Sequence, residues 1–155
     1  TGRMAIDDAG AGVGVTAYSQ YPSSDVYYRL RTMGAGNAFS ISNHPDGCNG
    51  NASTGVQPSV DTWYEFELSV SSEVSGNRVT AKVWRQGDAK PGSPQAECMD
   101  SRAGRPTSGT IGVWAMGTGG KYWDDLEVLP ISGSGGTLPP EPLEPPILID
   151  VRPVE

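Results

Sequence analysis

The alternation of apolar and polar residues along this chain predicts β-strands. In the clearest stretch, residues 64–70, Glu65, Glu67 and Ser69 separate four apolar side chains: Tyr64, Phe66, Leu68 and Val70. Successive side chains of a strand point to opposite faces of a sheet, so a period of two indicates a strand with one buried face. Residues 79–84 repeat the pattern, which places Trp84 on the face opposite the apolar side chains.

Further segments show the same period. They cover residues 12–18, 26–31, 38–41 and 111–115. In the last one, alternation predicts that Ile111, Val113 and Ala115 are buried and that Trp114 faces the other way. Long stretches with a helical period are absent, and polar, glycine-rich turns separate the strands. Six or seven short strands joined in this way predict an all-β, antiparallel β-sandwich.

The last strand pair has an irregular second half. Three glycines between residues 117 and 120 predict a hairpin turn. After it, Trp123 and Leu126 lie three residues apart, with Asp124 and Asp125 between them. Simple alternation does not bury both apolar side chains, so we predict a β-bulge at the two aspartates.

Composition divides the chain into three parts. Residues 1–130 form the predicted sandwich, and residues 131–146 are a Gly/Ser/Pro-rich linker whose prolines favour an extended tail. Residues 147–155 contain a lone strand, either the start of a next domain or a donor strand for a neighbouring subunit. Residues 1–6 already have the composition of a strand interior. We therefore expect that the sandwich lacks upstream strands, and we favour a fragment of a longer protein over strand donation.

Charge and cysteine content exclude several classes of function. The net charge of −7 and a pI near 4.6 argue against nucleic acid as a partner. No apolar run approaches the roughly 18 residues of a membrane span. Cys48 and Cys98 match no zinc or redox motif; they either pair as a disulfide or stay apart as buried thiols.

Catalytic constellations are not evident in the sequence. The chain has one histidine, His44, which we interpret as an ordinary loop residue. Glu65 and Glu67 share a strand face, but a third acidic residue at the spacing of sandwich glycosidases is missing, so we interpret them as solvated carboxylates. The glycines at 10–14 do not fit a dinucleotide fingerprint and indicate close packing within a strand. We therefore predict that the protein is not an enzyme; only missing upstream residues could supply catalytic groups.

Several short segments carry a resemblance to a known family. They are Gly2-Arg3-Met4-Ala5-Ile6-Asp7-Asp8, Gly12-Val13-Gly14-Val15, Tyr27-Tyr28-Arg29-Leu30-Arg31, Thr62-Trp63-Tyr64 and Tyr122-Trp123-Asp124-Asp125-Leu126. With them the chain resembles the later strands of bacterial LamG-like, concanavalin A-like domains. The resemblance implies a jelly-roll sandwich, secreted or displayed at the cell surface as part of a modular protein.

Two groups of residues are candidate sites. Calcium prefers several carboxylate and carbonyl oxygens, and similar sugar-binding sandwiches often hold a structural Ca²⁺ through an acidic residue of the closing strand. We therefore predict calcium ligands among Asp7, Asp8, Asp124 and Asp125. Aromatic rings that stack on sugars, beside polar side chains that bind hydroxyl groups, predict a carbohydrate platform. Its candidate residues are Trp84, Trp114, Tyr27, Arg29 and Arg31.

These candidate sites lead to two hypotheses of function. The first is a non-catalytic, lectin-like module that binds a polysaccharide or glycan and keeps its parent protein near it. The second is a structural or adhesive module of an extracellular assembly, completed by strand exchange with neighbouring domains or subunits. In the second case, the sandwich contacts other protein and binds no sugar. The alternative interpretation of the platform residues is that they fill the space beneath a missing strand or a covering loop. We expect Trp63 and Trp123 to serve in packing under either hypothesis.

Overall fold

The computed structural model describes residues 1–45 and 49–131 and shows an antiparallel β-sandwich. These residues form ten strands: β1 (Gly2–Ile6), β2 (Gly12–Ser19), β3 (Tyr27–Thr32), β4 (Ser40–His44), β5 (Asn49–Asn51), β6 (Tyr64–Glu73), β7 (Gly76–Arg85), β8 (Ala96–Asp100), β9 (Thr110–Met116) and β10 (Lys121–Asp124). No helix occurs among them, and so none that could cross a membrane. The predicted all-β sandwich is confirmed.

Two sheets pack face to face. The larger has the strand order β10-β1-β6-β7-β8-β5, and the smaller has the order β4-β3-β2-β9. The chain changes sheet four times: between β1 and β2, β4 and β5, β8 and β9, and β9 and β10. The hairpin predicted at residues 117–120 is therefore wrong, because this turn joins an edge strand of one sheet to an edge strand of the other and the two strands do not pair. The side chain of Trp123 bridges the sheets here, since its indole N–H donates a 3.0 Å hydrogen bond to the Gly14 carbonyl.

The core confirms the predicted phase of most strands. Inward positions of β6 and β7, including Tyr64, Phe66 and Val83, are buried, and their polar neighbours face outward. The largest buried apolar side chains come from both sheets: Met4, Ile6, Tyr28, Leu30, Phe39 and Ile41. Burial of this apolar surface is the main force that holds the two sheets together.

The predicted burial in β9 is wrong. Val113 lies opposite the buried Val15, which puts it on the core-facing side of the smaller sheet. Even so, Val113 is 52% exposed, Ile111 is 55% exposed and Ala115 is also exposed. The physical reason is the position of β9 at the sheet edge, where the opposite sheet does not cover these side chains.

The predicted bulge at Asp124 and Asp125 is also wrong. The ladder between β1 and β10 runs without a register shift from Ile6–Lys121 to Arg3–Asp124. The strand ends at Asp124, and Asp125 turns the chain with a φ of +52°. Because the chain leaves the sheet here, Leu126 does not need an inward position and is exposed.

A buried polar network connects the two sheets inside the core. The Tyr28 hydroxyl donates to Asp100 at 2.9 Å and accepts from the Asn77 side-chain amide at 2.9 Å. Arg102 binds both carboxylate oxygens of Asp100 at 2.8 Å. The Arg102 hydrogen bonds lower the pKa of Asp100, whereas burial raises the pKa of Tyr28 to about 12, with a further contribution from Asp100.

Cys98, in β8, is disulfide-bonded. The only other cysteine in the sequence is Cys48, which lies outside the described residues. Residues 132–155, which contain the predicted linker, tail and lone strand, also lie outside them.

Candidate ligand-binding face

The outward face of the smaller sheet gathers four of the five predicted carbohydrate-binding residues. Strand β3 buries Tyr28, Leu30 and Thr32, so the alternate positions point away from the core. Trp114 of β9 and both Ser42 and His44 of β4 reach the same face. We call this surface the arginine–tryptophan face; it consists of Tyr27, Arg29, Arg31, Ser42, His44 and Trp114.

Glycines in the central strand let residues from the two flanking strands meet. Gly14 of β2 pairs with Arg31 on one side and with Trp114 on the other. A β-carbon at Gly12 would lie 3.3 Å from the Trp114 ring, and one at Gly14 would lie 2.8 Å from the Arg31 β-carbon. The close packing predicted for these glycines is confirmed, since the outward side of β2 carries no side chain that separates Trp114 from Arg31.

Both arginines stack against Trp114. The guanidinium carbons of Arg29 and Arg31 lie 5.0 and 5.4 Å from its ring centroid, within the range of a cation–π interaction. Arg29 also donates to the Ser42 hydroxyl at 2.8 Å, and its Nη1 contacts the Tyr27 hydroxyl at 3.5 Å. These contacts hold Arg29 in one conformation on the sheet while most of its N–H groups stay unused.

Arg31 is the more confined of the two cations. Its Nη1 contacts the Met33 sulfur, and its Nε is buried without a hydrogen-bond acceptor among the described residues. Burial, and next the positive charge of Arg29, lower the pKa of Arg31. Neither arginine forms an ion pair with any described residue.

His44 is a member of this face that the sequence interpretation missed. It is the last residue of β4, where we had predicted a loop, and its ring stacks on Tyr27 at 5.0 Å between centroids. Its Nε2 lies 2.8 Å from an Asp25 carboxylate oxygen. No apolar residue follows Ile41 in this strand to signal its continuation in the sequence. In the structure Asn43 is buried, so His44 points outward.

Trp84, the fifth predicted residue, lies on the other sheet. It points outward from β7 beside Glu65 of β6, and the Lys90 ammonium lies 5.6 Å from its ring centroid. It borders a cavity of about 380 Å³ that Arg3 and the residues at the start of the chain also line. Glu67 on this face pairs with Lys90 at 2.5 Å, and this hydrogen bond lowers its pKa. Trp84 and Trp114 therefore cannot form one platform.

The four aspartates predicted to bind calcium do not meet. Asp124 and Asp125 pair with the Arg3 guanidinium at 2.7 and 3.1 Å. Asp7 lies four positions from Arg3 along the chain, about 13 Å at the rise of a strand. No group of three histidine, cysteine or acidic residues that could hold a metal occurs in the described part of the chain.

The carboxylates of Asp7 and Asp8 both accept hydrogen bonds from neighbouring groups of the protein. Asp7 accepts from the Gly120 amide at 2.5 Å and from the Tyr122 hydroxyl at 2.8 Å. Asp8 accepts from the Gly10 amide at 2.7 Å and from the Thr118 hydroxyl at 2.8 Å. The Lys121 ammonium donates to two carbonyls of the same turn, each at 2.8 Å. A cation of the protein itself thus binds the carbonyl oxygens of this turn.

Comparison with known protein families, with curated proteins and with solved structures found no match. The resemblance to LamG-like domains therefore stays an expectation from the sequence.

Proposed function

We propose that the protein is a non-catalytic carbohydrate-binding module and that the arginine–tryptophan face is its sugar-binding surface. The observation that carries the proposal is the convergence of Trp114, Arg29 and Arg31 on one outward sheet face. An indole ring offers an apolar surface to the C–H groups of a sugar, and guanidinium N–H groups donate to its oxygens. The packing described above fixes these side chains in advance, which reduces the entropy lost on binding.

The test is the retention of glycans by the wild-type protein and by two matched tryptophan variants. Trp114→Ala should weaken binding by about 1–3 kcal/mol, because it removes the aromatic surface of the face. Trp84→Ala is the control, since it removes an outward tryptophan from the opposite sheet. A glycan array without any bound sugar would contradict the proposal, and so would equal retention by the two variants.

A specific observation also favours the second candidate, a module of an extracellular assembly that is completed by strand exchange. Edge strand β9 leaves Ile111 and Val113 half exposed on its core-facing side. An uncovered strand edge with apolar side chains is a template for pairing with another chain. The occupant that fits is the apolar segment Ile147–Val151 of a neighbouring copy, which has the composition of a strand.

A further inference from the structure

We infer that the ligand of the arginine–tryptophan face is an acidic glycan, whose sulfate or carboxylate groups bind between Arg29 and Arg31. This inference rests on the proposed sugar-binding function and adds the chemical class of the ligand. It depends on the charges of the face and on the hydrogen-bonding capacity that the protein itself leaves unused.

Arg29 and Arg31 lack, among the described residues, the carboxylate partner that three other arginines have. Arg3, Arg78 and Arg102 each pair with at least one carboxylate. The chain has 18 acidic and 11 basic residues, so carboxylates are abundant. None of the described carboxylates pairs with Arg29 or Arg31, and Asp25, beside this face, pairs with His44 instead. The face is therefore a local cationic site on an acidic protein.

Two adjacent cations without a counter-ion repel each other. Arg29 and Arg31 lie two positions apart on one face of β3, about 7 Å between α-carbons at the rise of a strand. The lowered pKa of Arg31 reflects its burial and this repulsion. Arginine stays protonated at neutral pH in spite of such shifts. An anion bound between the two guanidinium groups would remove the repulsion, which makes binding of a charged ligand more favourable than binding of a neutral one.

The geometry of the guanidinium groups fits oxyanions. Each carries five N–H donors in a planar fork that matches two oxygens of a sulfate or carboxylate. Among described residues, Arg29 donates hydrogen bonds only to Ser42 and Tyr27, and the one hydrogen-bond contact of Arg31 is to the Met33 sulfur. Trp114 adjoins both forks and offers an apolar surface for the sugar ring that carries the anion.

The experiment begins with a glycan array that contains neutral, uronate-containing and sulfated polysaccharides. The acidic glycan that binds best is then compared with its desulfated and its carboxyl-reduced forms, which identifies the group that the arginines recognise. We expect removal of that group, or the change Arg29→Gln or Arg31→Gln, to weaken binding roughly ten- to a hundredfold, the contribution of one charge-assisted hydrogen-bonded pair. Binding should also weaken as salt screens the charges.

Arg85→Gln is the matched control. Arg85 is exposed at the end of β7 on the other sheet and has no ion pair with a described residue, so its loss changes the net charge equally at a distance from the face. We expect the Arg85→Gln variant to bind the acidic glycan as tightly as the wild type does. Arg31→Lys keeps the charge but not the fork, and it replaces Arg31→Gln if that variant does not fold.

The possible results separate the two proposals. If neutral glycans bind as tightly as acidic ones, and binding depends on Trp114 but not on the arginines, the inference is wrong and the proposed function stands. If no glycan binds, the proposed function itself is wrong. Single-stranded DNA of similar charge density that binds as tightly as the acidic glycan would show recognition of charge alone and would also overturn the inference.

Discussion

Gly14 lies directly opposite Trp114 in the ladder between β2 and β9. On its other side it pairs with Arg31, and its carbonyl accepts the indole N–H of Trp123 from the opposite sheet. One glycine thus connects the candidate sugar-binding residues with the contact between the two sheets.

Gly14→Ala should lower the free energy of unfolding by about 1–3 kcal/mol, the usual cost of an added methyl group in a packed site. The new β-carbon would lie 2.8 Å from the Arg31 β-carbon and would collide with the Leu30 carbonyl. Gly92→Ala is the control, because a β-carbon there meets no atom within 4 Å. Denaturant unfolding measures both variants; equal stabilities would show that Gly14 is not needed for the close approach.

The face of each strand could be predicted from the sequence, but the sheet to which the strand belongs could not. Alternation correctly placed Trp84 and Trp114 outward from their strands. It carries no information on whether two strands share a sheet, since that depends on pairings between residues far apart in the chain. The predicted site therefore combined tryptophans from opposite sides of the sandwich.

The same limit explains the error at Val113. A period of two identifies the core-facing side of β9, and Val113 does lie on that side opposite Val15. Whether a core-facing residue is buried depends on what covers it, and this follows from the order of strands in the sheet. His44 shows a different limit, because β4 continues beyond the expected strand end at Ile41 although no apolar residue there marks it in the sequence.

The network around Tyr28 and Asp100 predicts losses of stability at both ends of the pH scale. Arg102 lowers the pKa of Asp100 below its ordinary value of 3.8, so the stabilisation is present above that value and is lost as pH falls through the lower, folded-state pKa. The pKa of Tyr28 is raised from 10.0 to about 12. Its contribution is therefore present below pH 10 and disappears as pH rises towards 12.

Two variants test whether Asp100 causes the loss of stability in acid and Tyr28 the loss in alkali. Asp100→Asn should cost about 1–3 kcal/mol at neutral pH, since it weakens hydrogen bonds to a charged partner, and should reduce the loss of stability in acid. Tyr28→Phe should remove the part of the alkaline loss that Tyr28 causes. Unfolding free energies between pH 2 and 12 provide the measurement. If the free energies of unfolding of both variants change with pH as that of the wild type does, this assignment is wrong.

Calcium binding stays a prediction, and the structure allows each aspartate pair to be tested separately. A metal bound only to the folded state raises the melting temperature, so chelator should lower it. If Asp7 and Asp8 hold the ion, Asp7→Asn abolishes the effect of chelator, and if Asp124 and Asp125 hold it, Asp124→Asn does so. A protein shown to contain metal at the outset, with the same melting temperature in chelator, contradicts a stabilising role for that metal.

Strand exchange predicts that the apolar tail and the β9 edge are both required for assembly. Deletion of all residues after Gly136 removes the proposed donor strand, and Val113→Lys places a charge on the edge that would receive it. Each change should convert assembled protein to monomer in light-scattering measurements. Val74→Lys is the control, since Val74 is fully exposed between β6 and β7. A wild-type protein that is already monomeric, or a truncated protein that assembles as before, would rule out strand donation.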